Sequence, residues 1–230
     1  KESMKKVFVS WSGGKDGCLA LYRVLRAGMD VRCLANMVSE DGVRSRSHGI
    51  RAAVIKKQAE ALGTPIVQQP TADDAYEASF VGMLREFKRE GIEGGVFGDI
   101  DFPPHREWVE NVCGLAGLTA HLPLWQQSQS ELLTEFIDAG FKAVVVVVKA
   151  GLLGKELLGR VVDNDFLALM QRTKGVTPCG EAGEYHTLVI DGPIFKKRFD
   201  IIRSEVITRG EHHFLEILET RLKLKKLAGR

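Results

Sequence analysis

The strongest constraint on this chain is an alternation. In the first 125 residues, short apolar runs at 7–10, 31–39, 66–69, 95–100 and 120–122 are separated by helical patterns at 16–27, 50–62, 75–89 and 106–115. Strands spaced by helices of this length build βαβ units, because a parallel strand pair needs a long crossover between its members. The run at 31–39 is almost continuously apolar, as expected of a strand covered on both faces. The fold class that follows is α/β, a parallel twisted sheet with flanking helices. Ligands of such sheets lie beyond the carboxyl ends of the strands, where strand order reverses. Residues 12–17, 36–48 and 98–106 lie at or beyond those strand ends and are therefore expected around one cleft.

After Pro123-Leu124-Trp125 the pattern changes. Ser128-Gln129-Ser130-Glu131 has the form of a capping box and opens a helix to 139. A Val-rich strand at 142–149 follows, then helical patterns near 156–162 and 165–172 and a strand at 195–208. The tail at 214–227 alternates through Leu218, Thr220, Leu222 and Leu224 and is read as strand, although its Glu and Lys content also suits a helix. The expected division is a nucleotide-binding domain at 1–125 and a smaller α+β domain at 126–230. The apolar tail could pair with a second subunit, which leaves both a monomer and a homodimer open.

Directly after the first strand stands Ser10-Trp11-Ser12-Gly13-Gly14-Lys15-Asp16-Gly17. Two glycines allow a tight turn that aims backbone N–H groups at an anion. The helix that follows adds its positive end, and Lys15 adds a charge. The spacing excludes the G-x-x-x-x-G-K-[ST] loop, since a single residue, Gly14, separates Ser12-Gly13 from Lys15 and no Ser or Thr follows it. Farther on, Gly98-Asp99-Ile100-Asp101 and His105-Arg106-Glu107-Trp108 gather carboxylates, an imidazole and a guanidinium at a strand exit. Carboxylates placed there could hold Mg²⁺ jointly with phosphate oxygens, or could simply cap a helix. A second dense loop, Pro178-Cys179-Gly180-Glu181-Ala182-Gly183-Glu184-Tyr185-His186-Thr187, combines backbone freedom with two glutamates.

Composition narrows the class. A net charge of +2 gives no basic footprint for nucleic acid. The longest apolar run, 143–148, is far short of the ~20 residues of a bilayer span, and a cytoplasmic protein without membrane contact is expected. Cys18, Cys33, Cys113 and Cys179 form no Cys-x-x-Cys pair, which leaves zinc and dithiol chemistry without a motif.

Residues 12–16 resemble the S-G-G-x-D-S loop of the ATP pyrophosphatases, with Gly17 where that loop carries its last Ser. Taken with Gly98-Asp99-Ile100, His105-Arg106, Glu110-Asn111-Val112-Cys113, Pro123-Leu124-Trp125, Gly180-Glu181-Ala182-Gly183-Glu184-Tyr185 and Asp191-Gly192-Pro193, the chain is similar to the diphthine-ammonia ligase family of N-type ATP pyrophosphatases. The resemblance runs through both halves in order. It implies an ATP-dependent ligase that adenylates a substrate carboxylate, releases pyrophosphate and AMP, and forms an amide with ammonia, the acceptor being diphthine on elongation factor 2. It implies ATP and Mg²⁺ as ligands. ATP would be held by Ser10, Ser12, Gly13, Gly14, Lys15, Asp16, Gly17, Ala35, Asn36, His48, Gly98 and Asp99, and the metal by Asp16 and Asp99. The acceptor would meet His105, Arg106, Gly180, Glu181, Glu184 and Tyr185. Lys15, Asp16, Asp99, Glu181 and Glu184 would carry the chemistry. The alternatives are an ATP pyrophosphatase acting on another carboxylate or on an RNA base, which similar loops also serve, and a non-catalytic adenine-nucleotide sensor, which would bind without releasing pyrophosphate.

Overall fold

A computed structural model of the protein describes residues 4–225. The chain divides into two compact units. One contains residues up to 12, 16–52 and 64–128. The other contains 13–15, 53–63 and the chain from 129 onward.

The first unit holds a five-stranded sheet. Its elements run β1 (Lys6–Ser10), α1 (Lys15–Arg26), β2 (Asp30–Ser39), α2 (Ala52–Leu62), β3 (Ile66–Thr71), α3 (Tyr76–Arg89), β4 (Gly94–Val96), α4 (Pro103–Leu115) and β5 (Thr119–His121). Residues 53–62 of α2 group with the second unit. Strand order is β3-β2-β1-β4-β5 and every pairing is parallel. The chain builds outward from β1 to β3, then resumes on the other side of β1, so the order reverses between β1 and β4. The core of this unit joins Phe8 of β1 to Phe80, Leu84 and Phe87 of α3, Phe97, and Val109, Val112 and Cys113 of α4. The Phe8 ring lies 5.2 Å from Phe87 and meets Phe97 edge-on at 5.8 Å, geometries that aromatic pairs favour.

In the second unit, α5 (Gln129–Asp138), β6 (Lys142–Lys149), α6 (Asn164–Arg172), β7 (Tyr185–Asp191), β8 (Lys197–Arg209) and β9 (His212–Leu224) follow in order. The sheet order is β7-β6-β9-β8, antiparallel throughout. Six consecutive residues of β6 are buried, which explains the unbroken valine run at its centre. Asp163 caps α6 by accepting the Phe166 N–H at 2.8 Å.

Two expectations are corrected. The helix expected from 106 begins at Pro103, because prolines suit the first helical positions, where an amide hydrogen has no intrahelical acceptor. The helical pattern near 156–162 yields only a 3₁₀ turn at Lys155–Leu157, after which Val161 bridges to Val144 as extended chain. The tail is strand as far as Leu224; positions 226 and 227 of the expected strand lie outside the described residues.

Candidate active site

In the first unit, the reversal point gathers the exits of β1 and β4. Ser10 ends β1, Ser12 follows it, and Asp16 and Gly17 lie in the first turn of α1, whose N–H groups lack intrahelical acceptors. Gly98, just past β4, packs against that turn. A Cβ placed on Gly98 would lie 2.7 Å from the Gly17 nitrogen and 2.8 Å from the Asp16 carbonyl carbon. Glycine is required at 98 because backbone meets backbone there. This approach sets the segments bearing the Asp16 and Asp99 carboxylates side by side. Gly17 itself faces more room: its Cβ would meet Ser10 O at 3.5 Å and the Trp11 ring at 3.9 Å, ordinary contacts.

Asp99 is approached by His105, with Nδ1 3.3 Å from Oδ1. Phe102 meets the His105 ring edge-on at 4.8 Å. Arg106 donates to Glu110 at 2.7 Å and lays its guanidinium over the Trp125 ring, 5.2 Å from the centroid. Asp99 and His105 are thus brought together at the β4 exit, whereas Arg106 turns to Glu110 and Trp108 donates from Nε1 to Glu77 at 2.9 Å.

Ala35 and Asn36 lie within β2, flanked by β1 and β3. The Ala35 carbonyl accepts the Trp11 N–H at 2.8 Å. Asn36 is 1% exposed; its Nδ2 donates to Trp11 O at 2.8 Å and Ser45 Oγ at 3.0 Å, while its Oδ1 accepts from Gln68 at 3.2 Å. Asn36 therefore fixes the chain as it leaves β1. Beyond it the loop folds back along β2, with Ser39 N donating to Arg44 O at 2.7 Å, and His48 sits half-buried in the returning turn. A cavity of about 520 Å³ opens at the carboxyl ends of β2 and β3. Glu40, Asp41 and Asp73 line it, with Arg46 paired to Asp73. The Ser39 hydroxyl and the Val43 N–H hold the Asp41 carboxyl below its usual range.

The second unit contains the other dense loop together with residues 13–15. Lys15 is 3% exposed, its ammonium donating to the Cys179 carbonyl and standing 5.1 Å from the Tyr185 ring centroid. Its N–H donates to Thr187 Oγ1 at 3.1 Å. The Gly13 carbonyl accepts Val189 N–H and Gln58 Nε2, each at 2.9 Å. The loop is closed on itself: Thr177 N–H donates to Glu184 Oε1 at 2.6 Å, Tyr185 Oη donates to Pro178 O at 2.6 Å, and Glu181 N–H donates to Thr177 Oγ1 at 2.9 Å. Gly180 turns at φ +73°, and a side chain there would strike Tyr185. Glu184 is 2% exposed, and its Oε2 is buried without a hydrogen-bond partner. Glu181 is half-buried.

Burial, together with the nearby Lys15 ammonium and His212, pushes the His186 imidazole from 6.5 down to about 4, against the opposing Glu184 carboxylate. Cys18 and Cys113 are raised by burial, Cys113 to about 12, so neither presents a thiolate. Gln58 lies outside the sequence motifs of the site. Its signal was available: Ile55, Gln58, Ala59 and Leu62 share one helical stripe, and a polar residue on a buried stripe needs partners.

Residues 4–120 match the diphthamide synthase N-terminal domain and residues 128–222 the diphthamide synthase C-terminal domain. The chain belongs to the diphthamide synthase family. Among relatives, the diphthine–ammonia ligases of Bos taurus and Homo sapiens are each 30% identical over 234 residues, an alignment that covers 90% of this chain and 86% of theirs. That of Schizosaccharomyces pombe is 31% identical over 92% of this chain, which spans 39% of the longer protein. A solved structure titled as a predicted subunit of tRNA methyltransferase from Methanocaldococcus jannaschii is 14% identical, covers 82% of this chain and 98% of its own, and superposes with a TM-score of 0.43. No helix among the described residues is long and apolar enough to cross a membrane.

Proposed function

We propose that this chain is an ATP-dependent ligase that amidates a carboxylate with ammonia, the acceptor being diphthine on elongation factor 2. The observation that carries the proposal is the glycine-rich loop at the reversal between β1 and β4, in a chain whose two halves both match the diphthamide synthase family. The nucleotide supplies an activated α-phosphorus. The acceptor carboxylate attacks it, pyrophosphate departs, and ammonia then displaces AMP from the carbonyl carbon to leave the amide.

The roles assigned to this chain's residues follow from their chemistry. Ser12 and the first-turn N–H groups of Asp16 and Gly17 are assigned to the pyrophosphate end, at the turn against which Gly98 packs. We assign the adenine to the β2 segment around Ala35 and Asn36 together with His48. Mg²⁺ fits the donor set of Asp16 and Asp99, whose segments adjoin. Among the described residues no three His, Cys, Asp or Glu side chains could hold a metal by themselves, so phosphate oxygens would complete its shell. The ion would neutralise charge gathering on the leaving group.

His105 and Arg106 at the β4 exit are assigned to the acceptor. Glu181 is assigned to its quaternary ammonium, a cation without N–H donors that a partly exposed carboxylate attracts by charge alone. Glu184 Oε2 is a buried acceptor in need of a donor, and this supports giving it the incoming amine. The test mixes the protein with ATP, ammonium and diphthine-bearing elongation factor 2 and follows AMP release with the mass of the modified peptide. AMP and a mass shift that both require the acceptor support the proposal. AMP released equally well with another carboxylate or an RNA, or nucleotide bound with no pyrophosphate released, refutes it.

A further inference from the structure

The lysine of the glycine-rich loop invites assignment to phosphate, yet in the structure both of its donor groups serve the second dense loop. The Lys15 ammonium is held by the Cys179 carbonyl and the Tyr185 ring face, and its N–H by Thr187 Oγ1. Lys15, Cys179, Tyr185 and Thr187 are all buried. Two residues earlier, Gly13 O accepts Val189 N–H and Gln58 Nε2, and the same Nε2 reaches Val189 O at 2.7 Å. A Cβ on Gly13 would fall 2.7 Å from Ile55 and 2.8 Å from Gln58, so close seating is built into the glycine. Residues 13–15 are thereby pinned to β7 and the loop before it.

That loop behaves as one piece, because Thr177, Pro178, Gly180, Glu181, Glu184 and Tyr185 bond among themselves. A displacement at Cys179 O is therefore carried to Glu181 and Glu184.

We infer that Lys15 is a positioning residue that couples the phosphate loop to the acidic loop 177–187, rather than a ligand of the phosphates. Anion binding at residues 12–17 steadies residues 13–15, which steadies the acidic loop, and by linkage a bound acceptor strengthens nucleotide binding. A buried ammonium is tolerated because a carbonyl and an aromatic face replace its water. This inference rests on reading residues 12–17 as the phosphate site.

The experiment compares Lys15→Met, Thr187→Val and Thr187→Ser with the parent chain, using pyrophosphate and ATP as probes. Calorimetry reads affinity, and amide hydrogen exchange reads residues 178–187 with and without ATP. In Lys15→Met, affinity should stay within about threefold of the parent while exchange in the loop quickens by on the order of tenfold and no longer slows when ATP is added. Thr187→Val should change exchange in the same direction, and Thr187→Ser, which keeps the acceptor oxygen, should restore it. Loss of more than about tenfold in affinity with unchanged loop exchange in Lys15→Met would make Lys15 a phosphate ligand and overturn the inference. If Lys15→Met does not fold, the Thr187 pair decides: equal loop exchange in Val, Ser and parent overturns it. Failure of the parent to bind either probe would instead remove the phosphate-site reading, whereas the exchange of the loop without nucleotide tests the tether by itself.

Discussion

Gly98→Ala is the sharpest perturbation of the proposed phosphate site. The added methyl would sit 2.7 Å from Gly17 N, 2.8 Å from the Asp16 carbonyl carbon and 3.0 Å from Gly17 Cα. Carbon contacts relax at about 3.5 Å or more, so the first turn of α1 must retreat by roughly 0.7 Å. No flexible side-chain end is present to yield, and overpacking of this kind costs about 1–3 kcal/mol of stability. The same retreat lengthens donor–acceptor distances from about 2.9 Å to beyond 3.5 Å, past the limit of a hydrogen bond. One or two charge-assisted bonds lost at about 1.5 kcal/mol each weaken pyrophosphate and ATP by roughly ten- to hundredfold. Isothermal titration with both ligands, alongside thermal melts, measures the two effects. Affinity and melting temperature both equal to the parent's would show that the β4 exit does not press on the helix start, and the site would lose its geometric basis.

Four other outcomes are expected. Gly17→Ser, whose Cβ meets only ordinary contacts at 3.5 and 3.9 Å, should fold at least as well as the parent; its hydroxyl should tighten pyrophosphate by up to about tenfold, the worth of one net hydrogen bond, and weaker binding in calorimetry would contradict this. Replacing Glu181 and Glu184 together by Gln should leave ATP affinity within about threefold and lower amide formation by on the order of a hundredfold, because Gln can still accept the Thr177 N–H but carries no charge; parental turnover in the mass assay would make the loop structural. Because the His186 pKa is depressed from 6.5 to about 4, the unfolded chain binds the extra proton across that window. Stability should therefore be lost as pH falls from 6.5 toward 4, by at most about 3.5 kcal/mol, and urea titrations of His186→Asn should show a flatter acid limb than the parent. Asn36→Leu strands Trp11 O and the Ser45 hydroxyl in the interior and should cost about 1–3 kcal/mol by the same titrations; a loss well under that range would mean water replaces the amide.

The sequence by itself determined the parallel sheet, because apolar runs spaced by helix-length segments have few other ways to bury both faces. It also determined that residues 12–17 and 98–106 follow strands on the same sheet edge, since each lies just past the carboxyl end of its strand. The unbroken Val run of β6 announced a strand, and the alternation of Leu218, Thr220, Leu222 and Leu224 announced β9. Where Lys15 points was not legible. A lysine side chain has reach in many directions, and the choice was made by a carbonyl and a ring some 170 positions away in the chain, the Tyr185 face and Cys179 O. Gln58 likewise became a clamp on Gly13 only because Val189 arrives beside it through β7. The two glutamates of the acidic loop look equivalent in sequence, yet Glu184 turns inward to the Thr177 N–H while Glu181 keeps part of its surface. Local pattern reports which faces must be buried; it cannot report which distant partner satisfies a buried polar group, because that partner is selected by the packing of the whole unit.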